Sequence, residues 1–385
     1  MRHLRLEAKD LVRAGGATSL GEAQLRIARR YGFPSWPKLK AHVESLDEVG
    51  ALRAAIDAND LPRVQSLMSR HPALHRAPIG YGGSGPLTWV AECRVPWEAP
   101  SERRLAMAAW MIANGSDVHQ NGDAPLMRAA LVDDRIPMME LLVAHGADVN
   151  ARYAGRFPIV FAPCETLNPR ALAWLLAHGA DPNPPGAEGT TLDYVIATYS
   201  RSSALAECIG ILVRAGARTR YDEPAVLAIL SDRTDVLASL LDERPSLLHE
   251  RFEGLDFGST AERRMTLRGG TLLHVAAEYG STDAARLLLD RGADPNVRAA
   301  IVDGIGAQTP LFHAASQFYD YGVPVARLLI DRGADLGVHA TVPGDYQSDE
   351  LLMCTPLGYA MRFPRTHAFG TRAAVRLLRS HGAPE

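Results

Sequence analysis

The chain has 385 residues, 47% of them apolar and 22% charged, with a formal net charge of −3. That composition belongs to a folded protein and excludes general disorder and a positive field that would draw the whole chain to nucleic acid. The first 48 residues carry nine Lys and Arg against six Asp and Glu, a surplus of three, too small for an electrostatic DNA footprint.

The start, MRHLRLEAKDLV, lacks the apolar core of a secretory signal, and the chain contains no run of about 18 apolar residues. A cytoplasmic protein with no membrane span is expected. Cys93, Cys164, Cys208 and Cys354 form no CxxC pair, so they read as free thiols and not as a zinc site or a disulfide framework. No metal site and no cofactor motif is expected.

In chain order, LGEAQLRIARR (20–30) predicts a helix capped by Ser19, with Leu20, Ala23, Ile27 and Tyr31 on its apolar face. Gly32 and Pro34 end it. Ser35, Trp36 and Pro37 restart a helix carrying Leu39, Val43 and Leu46. YGFPSWPKLK (31–40) is therefore the corner of a helical hairpin, with Phe33 and Trp36 suited to cover the exposed end of the region that begins near residue 50. The expected division is an extension over 1–49 and a second region over 50–385.

From about residue 50 the chain repeats itself. A helical pair occupies 52–75, LRAAIDAND then VQSLMSRHPALH, and a second pair, AVLAIL then VLASLLDERPSLL, occupies 225–248. One closing phrase recurs: LLVAHGADVN (141–150), LLAHGADPN (175–183), LLLDRGADPN (287–296) and LLIDRGADLG (328–337), with weaker copies at 111–119, 212–220 and 377–385. In each, an apolar helix ends at a glycine that can take the left-handed conformation. An opening phrase recurs as well: APLMRAA (124–130), TLLHVAA (271–277), TPLFHAA (309–315) and TPLGYA (355–360). Thr before Pro starts a helix, and the Ala residues let neighbouring helices approach.

The unit is a turn, a short inner helix, a tight loop, a longer outer helix and a glycine turn. It resembles the ankyrin repeat, whose TPLHxA signature is followed most closely over 269–296. The helical extension before it resembles those of some bacterial ankyrin-repeat proteins. The resemblance implies an all-α solenoid of about nine units, stacked on one shared core as one elongated domain. It also implies a function of binding a protein or peptide partner in a concave groove.

Departures from the unit carry the functional expectations. Three links are long: 249–270, 297–308 and 337–354. In the resembling family these links form hairpin fingers, and three adjacent ones would build a wall or lid. The turns QFYDYGVP (317–324) and RFPRTHAFGT (362–371) add Phe318, Tyr319, Tyr321, Phe363 and Phe369. The residue before the first Ala of the signature is expected to face the groove or to wedge between inner helices. That column reads Trp89, Arg128, Phe161, Tyr194, Leu227, Val275, His313 and Tyr359.

The candidate binding residues are Trp89, Arg128, Phe161, Tyr194, Val275, Tyr279, His313 and Tyr359. His274 holds the signature histidine place, where a structural hydrogen bond to the neighbouring loop is the usual job. His313 is displaced into the variable column by Phe312. The second reading is an enzyme or small-molecule binder with a pocket under the fingers, using His313 and Tyr359, with Asp303 or Asp345 nearby. GYGGSG (80–85) lacks the strand and helix of a dinucleotide site and reads as an inter-repeat turn. DFG (256–258) has no accompanying kinase motif. The pairs Arg103/Arg104 and Arg263/Arg264 read as solvated loop charge.

Overall fold

The computed structural model describes residues 1–93, 99–185, 189–197, 201–259, 263–344, 350–362 and 372–385. Asp345, Phe363 and Phe369 lie outside the described residues, as does the side chain of Leu46. The chain divides into two compact units: residues 1–130 with 134–159, and residues 131–133 with 160–385.

The first unit holds α1 (Arg2–Arg13), α2 (Leu20–Arg30), α3 (Trp36–Asp57), α4 (Leu61–Arg70), α5 (Pro86–Glu92), α6 (Glu102–Ala113), α7 (Gln120–Ala129) and α8 (Ile136–Ala144). A minimal hairpin comes after α8, β1 (Arg152–Tyr153) against β2 (Phe157–Pro158). Ser19 caps α2 by accepting from the Glu22 N–H at 3.2 Å. Ala23 and Ile27 are buried as expected, but Leu20 and Tyr31 are about half exposed.

Phe33 and Trp36 sit within the extension. They pack, with Leu11 and Val43, on a small core of their own formed by Leu4, Ala8, Ala17, Ala23, Ile27, Ala28 and Leu39. The extension buries its aromatics internally because α1 supplies a third helix. α3 then runs unbroken through residues 49 and 50 into the first repeat.

The second unit holds α9 (Phe161–Thr166), α10 (Pro169–Ala177), α11 (Thr191–Ile196), α12 (Ser203–Arg214), α13 (Pro224–Leu230), α14 (Thr234–Glu243), α15 (Leu272–Tyr279), α16 (Thr282–Asp290), α17 (Pro310–Ala315) and α18 (Val323–Asp331). The strands β3 (Ala340–Pro343) and β4 (Leu351–Cys354) come next, then α19 (Pro356–Ala360) and α20 (Arg372–Ser380). From α3–α4 to α19–α20, the described residues make nine successive helix pairs.

Within each unit, inner helices pack on inner helices and outer on outer: α5 on α7 and α6 on α8, then α13 on α15, α15 on α17, α17 on α19, and α14, α16, α18 and α20 in series. Leu142, Leu175, Leu212, Leu288, Leu329 and Leu378, one from each of six outer helices, are 0% exposed. Burial of each such side chain contributes about 1.5–3 kcal/mol, which one pair could not gain alone. The seven phrase glycines, Gly115, Gly146, Gly179, Gly216, Gly292, Gly333 and Gly382, all have φ between +75° and +111°. A Cβ is strained there, which is why the closing phrase keeps glycine.

The long links of the second unit are joined to one another. The Ala300 N–H donates to the Gly269 carbonyl at 2.9 Å, and the Gly306 N–H to the Thr341 carbonyl at 2.9 Å. β3 pairs antiparallel with β4, Ala340 opposite Cys354 and Val342 opposite Leu352. Ala340, Val342 and Leu352 face a core with Met265, Phe312, Val338 and Tyr359. In the turn 317–324, Tyr319 is 66% exposed. Its neighbour Asp320 accepts from the Ala373 and Ala374 N–H groups at 2.8 and 2.9 Å, so this turn caps the start of α20.

Candidate functional site

The site begins at the signature histidine. Thr271 opens α15, and the Thr271 N–H donates to His274 Nδ1 at 3.0 Å. That fixes the proton on Nε2, which donates to the Gln308 carbonyl at 3.0 Å. His274 thus ties one repeat to the opening turn of the next. Burial, with His313 alongside, pushes its pKa down to about 3.

One turn on, α15 carries Glu278, and α17 carries His313. His313 Nδ1 lies 2.8 Å from Glu278 Oε2. Arg201 Nη2 donates to Glu278 Oε1 at 3.2 Å, and Arg263 donates to the same oxygen. Arg263 also donates to Ser316 Oγ at 2.9 Å and to the Gly258 carbonyl at 2.9 Å. The side chains of Arg263, Glu278 and His313 are 0% exposed and that of Arg201 is 2%.

Burial alone would raise the Glu278 carboxyl, but Arg263, His313 and Arg201 together hold it below the usual carboxylate range. Burial lowers His313 despite the bond to Glu278. The imidazole is therefore neutral, donates its Nδ1 proton to Glu278, and leaves Nε2 without a partner among the described residues.

The expectation that Val275, His313 and Tyr359 line an open groove is corrected. All three are 0% exposed, enclosed by the fingers and neighbouring helices, and cannot touch a docked partner. Tyr279 is also buried: its hydroxyl donates to the Ile196 carbonyl at 2.7 Å and Arg201 stacks over its ring at 4.3 Å. Phe161 stacks on Tyr194 at 5.1 Å, bridging α9 and α11, with Phe161 buried and Tyr194 half-buried.

In the first unit, Trp89 and Arg128 are half-buried and pinned. Trp89 Nε1 donates to Asp57 Oδ1 at 2.8 Å, with Arg53 over its ring at 4.5 Å. Arg128 pairs with the buried Glu92 and lies over Tyr81 at 4.3 Å.

The three fingers of the second unit enclose a cleft of about 80 Å³. Met265, Val302, Ile305 and Val342 form its apolar walls, with Thr266, Arg268, Asp303 and Gln308 as its polar lining. Gln308 is 3% exposed, and its Oε1 has no partner among the described residues. Arg268 and Asp303 face each other across the rim at 3.7 Å, both well exposed.

Family models agree with this geometry. A model described as ankyrin repeats in three copies matches residues 247–340, and a single ankyrin repeat matches 121–153. The chain is an ankyrin-repeat protein. Ankyrin repeat protein FPV022 of Fowlpox virus (strain NVSL) is 26% identical over 262 residues, 64% of this chain and 42% of that protein. The chain thus spans less than half the length of this curated relative. Among solved structures, the human ASB11 ankyrin repeat domain is 24% identical, with a TM-score of 0.34 over 68% of this chain and 99% of that one.

In this ankyrin-repeat chain, reading the column found inner-helix positions but missed the polar core. Arg263 is 1% exposed and not solvated loop charge, and Arg104 is 2% exposed, donating from Nε to Asn59 Oδ1 at 2.6 Å. One signal was available: Glu278 sits on an inner helix between alanines and an aromatic, where a lone carboxylate needs a counter-charge. Arg263 comes from a long link and Arg201 from the turn between α11 and α12, both outside the repeated phrases, so periodicity could not supply them.

Proposed function

We propose that the chain is a cytoplasmic interaction protein of bacterial type that binds a protein or peptide partner through the finger face of its second unit. The observation that carries this reading is the exposure of apolar side chains on hydrogen-bonded fingers. Ile301 is 68% exposed, Met353 69% and Leu351 48%. Large apolar groups held open on an ordered edge mark an interaction surface. The ankyrin-repeat family assignment supports the same reading, and no described helix is long and apolar enough to cross a membrane.

The enzymatic reading around His313 and Tyr359 has no observation behind it: both are enclosed, and His313 is committed to Glu278. The test is crosslinking capture from the source cells with wild type and an Ile301→Asp/Met353→Asp variant. Both positions are exposed, so stability should change by no more than about 0.5 kcal/mol each. Loss of specific partners from a variant that still unfolds like wild type is expected. An unchanged set of captured proteins would remove the finger face from the function.

A further inference from the structure

We infer that the free edge of β4 takes up an extended segment of a partner polypeptide as an added strand of the finger sheet. This inference rests on the protein-binding reading above.

The register of the hairpin decides which backbone groups are open. The Gly344 N–H donates to the Glu350 carbonyl at 2.9 Å, in the same register as the pairs Val342–Leu352 and Ala340–Cys354. Bonded and non-bonded pairs alternate between antiparallel strands, so Leu351 and Met353, which fall between, turn their N–H and C=O groups away from β3. The facing strand obeys the same alternation. Thr341, opposite Met353, turns its carbonyl away from β4 and accepts from the Gly306 N–H of the second long link at 2.9 Å. One side of the hairpin is thus already paired. On the other, the N–H and C=O groups of Leu351 and Met353 meet no hydrogen-bond partner among the described residues.

The same alternation sorts the side chains. Leu352 is 8% exposed and belongs to the core that holds Val342 and Tyr359, whereas Leu351 and Met353 stand on the other face. Charge, proline or a covering segment blunts most open strand edges. The strand LLMC (351–354) carries neither charge nor proline. An apolar edge left open is a template for strand pairing.

The edge selects its occupant through the backbone. It repeats a donor and an acceptor at every second residue, about 6.8 Å apart. An extended polypeptide carries the complementary set at that spacing, whereas a helix spends the same groups internally. Main-chain bonds would hold the segment, and its side chains at alternate positions would lie beside Leu351 and Met353. A second copy of the chain fits less well. Its β4 offers only the same two open residues, and two four-residue strands edge to edge cover far less than the roughly 1,200 Å² of a stable interface. A partner's segment is free to run on past the strand and bury more.

The probe is a capped, lysine-flanked peptide of about eight residues alternating valine and threonine, added to the full isotope-labelled chain; backbone recognition tolerates such a sequence. In the free chain, NMR should find the Leu352 amide protected from exchange and the Leu351 and Met353 amides unprotected. Equal protection of all three would remove the open edge. With saturating peptide, exchange at Leu351 and Met353 should slow by about fivefold or more. The same peptide N-methylated at every residue keeps its side chains but has no donors, and should bind at least about tenfold more weakly. Proline is tolerated at the first residue of a strand. Leu351→Pro therefore removes one outward N–H without touching a β3–β4 bond, and should weaken binding by about fivefold. Leu351→Val keeps that N–H and should bind within about twofold of wild type. If Leu351→Pro loses protection at Leu352, its hairpin is disturbed and the N-methylated peptide decides instead. No slowing at Leu351 and Met353, or equal binding of the N-methylated peptide, rejects strand addition. Dimers of the chain alone that Leu351→Pro abolishes would give the edge to a second copy and overturn the partner assignment. A captured partner kept by Leu351→Pro but lost from Ile301→Asp/Met353→Asp would overturn the edge alone; one kept by both would overturn the wider reading.

Discussion

Both units place arginines against inner-helix groups, but they do so differently. In the first unit Arg53 and Arg128 lie on the faces of Trp89 and Tyr81, Arg53 exposed and Arg128 11% exposed where it pairs with the buried Glu92. In the second, Arg201 and Arg263 meet a carboxylate and an imidazole with side-chain exposures of 0–2%. The repeat is the same; the links differ. The hairpin of the first unit pairs only two residues per strand, whereas the second unit has three long links bonded in series. The link 249–270 brings Arg263 into this core, and the turn between α11 and α12 brings Arg201. The difference lies in where the covering charge comes from: the buried Glu92 of the first unit is met by Arg128 of the next inner helix, whereas the buried Glu278 is met in part by Arg263 of a long link.

The largest expected effect tests that burial. Glu278→Ala leaves two guanidinium groups enclosed without the carboxylate they share, and should cost about 3–5 kcal/mol in urea unfolding. Arg128→Ala in the first unit leaves one buried carboxylate, Glu92, where Glu278→Ala leaves two enclosed cations, and should cost less. Equal losses would show that enclosure by the fingers adds nothing.

Acid should separate the units next. Burial lowers the pKa of His274 and His313 in the second unit and of His75 in the first. A histidine lowered in the folded state takes up protons in the unfolded state first, from about pH 6.5 downward. Its contribution is full above that pH and declines as pH falls, by about 1.4 kcal/mol per pH unit for each such group. Glu278, also lowered, adds a loss of the same sign below roughly pH 4.3. Hydrogen exchange measured from pH 7.5 to 5 should show the second unit weakening faster. His274→Gln should remove the equivalent of one proton from that slope, and an unchanged slope would mean that His274 titrates normally.

The nine helix pairs were legible because each needs its own Leu stripe, Thr-Pro start and closing glycine, and these recur at readable spacing. The role of His274 was legible for the same reason: its partners are the Thr271 that precedes it and the opening turn of the next repeat. The polar core was not. Glu278 and Arg201 are 77 residues apart, and Arg201 stands in the α11–α12 turn and Arg263 in a long link, with no period to align them. The internal core of the extension was missed because α1 is mostly polar and shows only Leu4, Ala8 and a few partners to its neighbours. The finger cleft is assembled from three segments whose register is set by hydrogen bonds between backbones, which a side-chain pattern does not encode.

The smallest effect sharpens the comparison from the first unit. Trp89→Phe keeps a ring beneath Arg53 but removes the Nε1–H that donates to Asp57 Oδ1. Because Trp89 is only half-buried, water can reach the carboxylate that loses its donor. The cost should be that of one hydrogen bond to a charged group in partial contact with solvent, about 1–1.5 kcal/mol. Trp89→Leu removes the cation–ring contact as well and should cost about 0.5–1 kcal/mol more. If Trp89→Phe instead cost as much as Glu278→Ala, Asp57 would be as enclosed as Glu278. The contrast would then lie in which groups each inner helix carries, and not in how far the links cover them.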